Sequence, residues 1–374
     1  MMSKDQTTVF MDHIREHAPE YFPGFGSERI CVQLLDKQVR PTAMLYRFNV
    51  SNDVQIRSVI VKVPLRGSTK SRPLGSIYEK PLLFPKTEPS DMHRLYYTAL
   101  LTIYEHFTSL GNQQLGAIRV LDYVPQYCAI LSEESKDQNL RQLFLRETRL
   151  RSPFNYDRLT AAFQNVGIWL RVYHAMPKKE DVKVRHHHRD EYIEAIIRLT
   201  DFLAKSWGDE PFFEKTASII ITKAREILPE SLPLGLGHGD YAMRNILLGQ
   251  NAHVTVLDTF AKWRTPIYED IGYFLNRLKM SGPQVASQGL AYSSDQIRAY
   301  EHAFLKGYFE QTSIPYPAIR LYEILALLDN WSGVITHYHQ GSDKIKVFGR
   351  MKIALISRYF KISAKNLLRE FTES

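Results

Sequence analysis

The sequence predicts an α+β chain in two parts: a small antiparallel β-rich N-terminal lobe over residues 1–134 and a larger, mainly helical C-terminal lobe over residues 135–374. Three observations carry this expectation. Strand-type apolar runs are concentrated between Arg29 and Glu134. Beyond Glu134 the apolar spacing switches to the 3.6-residue period almost throughout. With 374 residues, 44% of them hydrophobic, the chain is long enough to fill two cores, which excludes disorder and fibrous architectures.

In order along the chain, Ile30–Asp36, Thr42–Val50 and Ile56–Pro64 are rich in Val, Ile, Leu and aromatics and are separated by polar turns, so they read as a three-stranded antiparallel meander. A loop with five prolines follows (Pro64, Pro73, Pro81, Pro85, Pro89). Ser90 or Asp91 then caps a helix to about Leu110, with Leu95, Ala99, Ile103 and Phe107 at every fourth position. Strands Ile118–Tyr123 and Tyr127–Glu133 close the first lobe.

The second lobe is expected to be helical over Leu159–Ala175, Glu191–Lys205, Phe212–Ile227, Ile271–Met280, Asp295–Gln311, Pro317–His339 and Lys344–Phe371. Its exception is a hairpin, Ile246–Leu248 and Val254–Leu257, turning through Gly249-Gln250-Asn251.

Composition narrows the function. Two cysteines, Cys31 and Cys128, exclude a disulfide framework and a four-thiolate zinc site, and imply a reducing compartment. The N-terminal residues carry no apolar leader block and no segment has the length of a membrane span, so the expected location is the cytoplasm. The net charge of +8 is matched by eight basic residues and no acid between Lys344 and Arg369. The rest of the chain is balanced, which argues against nucleic acid as a partner.

The informative segment is His238-Gly239-Asp240-Tyr241-Ala242-Met243-Arg244-Asn245, followed thirteen residues after Asn245 by Asp258 at the end of a β-like run. Phosphoryl transfer needs a carboxylate to orient the acceptor hydroxyl and take its proton, and hard oxygen ligands to hold magnesium against a triphosphate. Asp240 fits the first role; Asn245 and Asp258 fit the second. The hairpin brings all three to one end, which separates this pattern from a surface turn with an Asn cap. Arg244 is placed either to neutralise a γ-phosphate or to pair with Asp240.

These residues resemble the aminoglycoside phosphotransferase family, small-molecule kinases of the protein-kinase-like fold, over about residues 29–340 and most specifically over His238–Asp270. The resemblance implies a bilobal protein-kinase-like fold, with Asp240 as the catalytic carboxylate and Asn245 and Asp258 as magnesium ligands. It makes Asp270, in Pro266-Ile267-Tyr268-Glu269-Asp270-Ile271, a brace for the loop. His174 and His238 likewise read as support rather than as proton carriers.

In such a fold Lys62, in the apolar run Val59-Ile60-Val61-Lys62-Val63, meets the nucleotide phosphates, and Ser132, Glu133 and Glu134 form the hinge facing the adenine. The glycine-rich phosphate loop of protein kinases is absent between the first two strands. By register the helix partner of Lys62 falls near Tyr96, and the one Glu of that helix, Glu105, reads as a surface position. His186 to His188, near Lys178, Lys179, Lys183 and Arg185, read as a solvated basic loop. The basic C-terminal helix reads as a closing helix of the large lobe, and its composition also suits peripheral contact with an anionic membrane surface.

Only eleven residues lie between Asp258 and Asp270, too few for the peptide platform of a protein kinase. Two helices, Glu191–Lys205 and Phe212–Ile227, precede the catalytic loop where the family builds part of its acceptor pocket. The expected activity is therefore ATP- and magnesium-dependent phosphorylation of a small-molecule hydroxyl on a sugar or amino sugar, with GTP as the alternative nucleotide. The carboxylates Asp201, Asp209, Glu210, Glu214 and Glu226 would have to line the acidic pocket that an aminoglycoside requires. An antibiotic kinase and a non-catalytic kinase-fold binding protein are the competing expectations.

Overall fold

The computed structural model describes residues 5–26, 29–40, 43–65, 89–148, 156–177, 183–184, 188–259, 263–340 and 347–373. Pro73, Pro81 and Pro85 of the proline loop, Lys178, Lys179, Arg185 to His187, and Lys344 to Lys346 lie outside the described residues. The rest fall into two compact units that change over between Asp137 and Gln138, with residues 113–115 also joining the second.

The first unit is an antiparallel five-stranded sheet with spatial order Cys31–Val39, Ala43–Ser51, Ile56–Pro64, Ala129–Glu133, Val120–Val124. Alternation decides its faces. Val59, Val61 and Val63 of the third strand are buried, together with Tyr46, Phe48 and Val50 of the second, whereas Ile60 and Lys62 fall on the other side. The Val face is covered by an N-terminal helix, Gln6–Tyr21, that sequence periodicity did not single out. Its buried stripe is Phe10, Ile14, Ala18 and Tyr21, spaced by three or four in a largely polar segment. Asp122 fastens that helix to the edge strand, accepting from Tyr21 Oη at 2.7 Å and meeting His13 Nε2 at 2.8 Å. The remaining helix, Pro89–Ser109, keeps the expected bounds to within a residue or two and buries Tyr96, Ala99, Ile103 and Phe107.

The second unit contains the expected helices at Tyr156–His174, Arg189–Trp207, Glu210–Ile227, Ile267–Lys279, Ser294–Phe309, Tyr316–Gln340 and Val347–Glu373, and an unanticipated one at Leu140–Glu147. The helices Tyr156–His174 and Ser294–Phe309 cross at backbone contact. A β-carbon on Gly167 would lie 2.0 Å from the Phe304 carbonyl oxygen, and one on Gly307 would lie 2.0 Å from that of Gln164. A second core gathers Leu199, Phe213, Ile220, Leu325, Trp331, Phe360 and Phe371 from four helices, so the C-terminal helix does close this unit. Its outer side leaves Met351, Leu355 and Ile362 exposed among basic residues. No helix among the described residues is long and apolar enough to cross a membrane.

Two buried carboxylates, Glu301 and Glu323, meet two half-buried cations where three helices join. Lys279 Nζ contacts Glu301 at 2.8 Å and Glu323 at 2.7 Å, and Arg320 pairs with the same two carboxylates while reaching Glu370 at the edge. Two cations and two anions cancel, which is the condition for keeping such groups out of water.

Candidate active site

The hairpin forms as expected, Ile246–Leu248 pairing with Val254–Val256 through a turn in which Asn251 has φ 51°. The Leu257 N–H donates to the Asn245 carbonyl at 2.7 Å, extending the ladder by one step. Asn245 enters one strand and Asp258 leaves the other immediately beyond that bond, so a local pairing brings together two residues thirteen apart in sequence. Asp258 itself has φ 55°, a left-handed conformation that costs a residue with a β-carbon about 1–2 kcal/mol.

Asp240 precedes the 3-10 turn Met243–Asn245 and is about one-third exposed. Its Oδ1 accepts from Tyr273 Oη at 2.8 Å and from Arg244 Nη2, and its Oδ2 accepts from Asn245 Nδ2 at 3.0 Å. A carboxylate offers about four lone-pair sites, two on each oxygen. The three bonds leave one, on Oδ2, for an incoming hydroxyl. Asn245 Nδ2 also donates to the Asp240 carbonyl at 2.9 Å, which spends both amide hydrogens and leaves Oδ1 as the end free to meet a cation. Arg244, which the sequence placed on either of two partners, is thus paired with Asp240.

His238 is fully buried beneath the loop. Its Nε2 lies 3.2 Å from the Leu257 carbonyl oxygen and its Nδ1 accepts from the Asp240 N–H at 3.2 Å, which fixes the neutral tautomer protonated on Nε2. Burial lowers its pKa below the ordinary 6.5 despite the charges of Asp270, Asp240 and Asp258, each of which acts in the opposite sense. All three carboxylates therefore lie close enough to be felt at one ring. Gly239 turns the chain between His238 and Asp240 with φ 79°.

Asp270 secures the loop from below. Its Oδ2 accepts from the His238 N–H at 2.7 Å and its Oδ1 from the Gly239 N–H at 2.8 Å, while His174 Nε2 lies 3.1 Å from Oδ2 and His174 Nδ1 meets Tyr308 Oη at 2.7 Å. Burial raises the Asp270 pKa, but the hydrogen bond and electrostatic attraction of His174 and the bond from the His238 backbone N–H outweigh it, and the net shift is downward. Tyr241 Oη donates to the Val166 carbonyl at 2.7 Å and its ring stacks on Trp169, so the loop is also held to the helix Tyr156–His174.

In the first unit, Lys62 Nζ lies 3.4 Å from Tyr96 Oη and 4.8 Å from the centre of that ring. The register argument located Tyr96 correctly; an aromatic hydroxyl and ring stand there in place of a carboxylate. Glu105 is exposed. Ser132 is a paired strand residue. The N–H groups of Glu133 and Glu134 donate to the carbonyls of Arg119 and Ser58, both at 2.9 Å. Their carboxylates pair with Arg119 and Arg57, and with Arg47, respectively.

Tyr273 and Arg277, on the helix Ile267–Lys279, were not identified from sequence. The guanidinium of Arg277 sits 4.9 Å from the centre of the Tyr273 ring. The residues that could hold a divalent cation are Asn245, through Oδ1, and Asp258, hard oxygens of the kind magnesium takes alongside phosphate oxygens. No group of three His, Cys, Asp or Glu ligands occurs among the described residues, so such a cation would draw its remaining ligands from phosphate and water.

No family model matches the chain, and no curated protein matches it. Among solved structures it is similar to the ethanolamine kinase of Plasmodium vivax, with 99% of this chain and 91% of that one covered, a TM-score of 0.51 and 11% identity. It is also similar to a spectinomycin phosphotransferase solved with ADP and spectinomycin (96% and 97% covered, TM-score 0.48, 12% identity). The choline kinase of Streptococcus pneumoniae is a third (95% and 98% covered, TM-score 0.47, 12% identity). At such identities the likeness is one of fold: the chain has the bilobal α+β, kinase-like fold of the ethanolamine kinase.

Proposed function

We propose that the chain is an ATP-dependent phosphotransferase of the aminoglycoside phosphotransferase type, working in the cytoplasm on a hydroxyl of a sugar-class small molecule. The observation that carries this is the state of Asp240: three of its lone-pair sites are taken by Arg244, Tyr273 and Asn245, and the fourth, on Oδ2, is open beside the free oxygen of Asn245. A carboxylate held in this way can orient an alcohol and receive its proton with no rearrangement of its own.

Asn245 and Asp258 would hold magnesium, and Lys62 is assigned to nucleotide phosphates by its place on the third strand. When bound, the magnesium nucleotide supplies the activated γ-phosphoryl group and the neutralisation of its charge. The acceptor oxygen forms the new bond to phosphorus as the bond to the β-phosphate oxygen breaks, ADP departs, and the hydroxyl proton passes to Asp240 Oδ2. The protein's part is position. Arg244 and Tyr273 fix one carboxylate oxygen, Asn245 aims the other, and Asp270 prevents the loop from moving.

The test is transfer from γ-labelled ATP with magnesium to a panel of sugars and aminoglycosides by the full chain, alongside Asp240→Ala. Labelled product from the wild type, lost in the variant while nucleotide binding persists, supports the proposal. Nucleotide binding with no acceptor labelled would reassign the fold to a binding role, and a labelled peptide hydroxyl would reassign the acceptor.

A further inference from the structure

On the side of the helix Ile267–Lys279 that faces Asp240, Tyr273 lies between two guanidinium groups. Arg244 Nη2 is 3.4 Å from its hydroxyl and is paired with Asp240, so its charge is matched. Arg277, one turn further along the same face, stacks on the ring at 4.9 Å. Arg277 is half-buried, its Nε is shielded from solvent without a hydrogen-bond partner, and among the described residues no carboxylate lies within ion-pair distance of it. A guanidinium in that state lacks the anion that would offset its lost hydration.

Neighbouring acids do not fill the gap. Glu269 is two turns away on this face, about 12 Å along the axis, and is held by the Tyr192 hydroxyl. Asp201, Glu226 and Asp209, on the helices that precede the catalytic loop, are paired with Lys205, Lys223 and Lys361. Asp270 is committed to the loop amides. Among the described residues, Arg277 is therefore a cation beside the candidate base with no carboxylate partner.

We propose, building on the phosphotransferase reading above, that Arg277 is the specificity-determining residue of the acceptor site and that the acceptor carries an oxyanion, a carboxylate or a phosphate, about one helical turn from the hydroxyl it offers to Asp240 Oδ2. The planar fork of arginine takes either anion through two parallel N–H bonds, and the Tyr273 ring beneath it holds the plane in place. The same charge selects against polycationic acceptors.

Matched acceptors test this with the full chain and magnesium ATP: glucuronate and glucose 6-phosphate against glucose, glucosamine and kanamycin. The anionic members are expected to exceed glucose by about ten-fold or more in kcat/KM. Arg277→Gln is expected to narrow that gap to about three-fold or less through the acceptor KM, leaving the KM for ATP in place, with Arg277→Lys intermediate. Equal or better use of glucose, glucosamine or kanamycin overturns the proposal, as does a variant that moves the KM for ATP instead. A second arm needs no turnover: inorganic phosphate titrated into the nucleotide-free chain, followed by calorimetry, should show saturable binding that Arg277→Gln removes at an unchanged unfolding midpoint. Absence of that binding also overturns it. Phosphate binding lost in Arg277→Gln with no acceptor phosphorylated would uphold the anion site and remove the phosphotransferase reading; transfer to neutral sugars indifferent to Arg277 would do the reverse.

Discussion

Tyr273 Oη stands 2.8 Å from Asp240 Oδ1, the carboxylate oxygen that also receives Arg244, so a helix thirty residues downstream sets the orientation of the candidate base. Tyr273→Phe keeps the ring on which Arg277 stacks and removes only this bond. At a partly solvated site the loss amounts to about 1 kcal/mol, or roughly five-fold in kcat. Steady-state kinetics should show the change in kcat, with the acceptor KM held by the retained ring.

Asp270→Ala removes the acceptor for two buried loop N–H groups and the partner of His174. Breaking such a buried set costs about 3–5 kcal/mol. Urea unfolding should report that loss, and phosphotransfer should fall with it because Gly239 and Asp240 lose their anchor. Asn at 270 can accept only on one side and is expected to recover less than half.

His238 gives the stability a defined pH sense. Its folded pKa is depressed below 6.5 by burial, so the unfolded chain binds the proton more readily. The stabilisation from keeping it neutral is present above the ordinary value and is lost as pH falls through it. Unfolding midpoints between pH 8 and 5 should decline on the acid side, and the His238 ring followed by NMR should titrate below the ordinary 6.5. Asp270, with a depressed carboxyl pKa, contributes in the same sense at lower pH: its share is present above the ordinary 3.8 and lost as pH falls through the lower folded value.

Gly167→Ala places a methyl group 2.0 Å from the Phe304 carbonyl oxygen and 2.8 Å from the Tyr308 nitrogen, atoms of a helix backbone that cannot yield by a side-chain turn. A destabilisation of about 2–3 kcal/mol is expected on thermal unfolding. Because Tyr308 holds His174, activity should fall beyond what the unfolded fraction explains.

The loop and hairpin were legible because their chemistry is local: Asp240, Asn245 and Asp258 share one turn and one ladder, and residue spacing encodes both. Tyr96 was placed by register, though a hydroxyl and a ring at that point could be known only from the packing. Tyr273 and Arg277 escaped notice because the rotation of their helix over the loop, set by Asp270 and by the Gly272 contact with Tyr322, has no signature in spacing. The helix Gln6–Tyr21 escaped for a different reason. Four buried residues suffice when one sheet face needs only a narrow cover, too few to stand out in a polar segment.

The quartet of Lys279, Glu301, Arg320 and Glu323 bears on how this chain can diverge. Replacing any one member strands a charge in the interior, whereas replacing a matched pair does not. Lineages descended from a common ancestor should therefore show these positions changing as matched cation–carboxylate pairs or not at all. Their joint substitution history, more than overall percent identity, would mark which distant sequences inherited this interior.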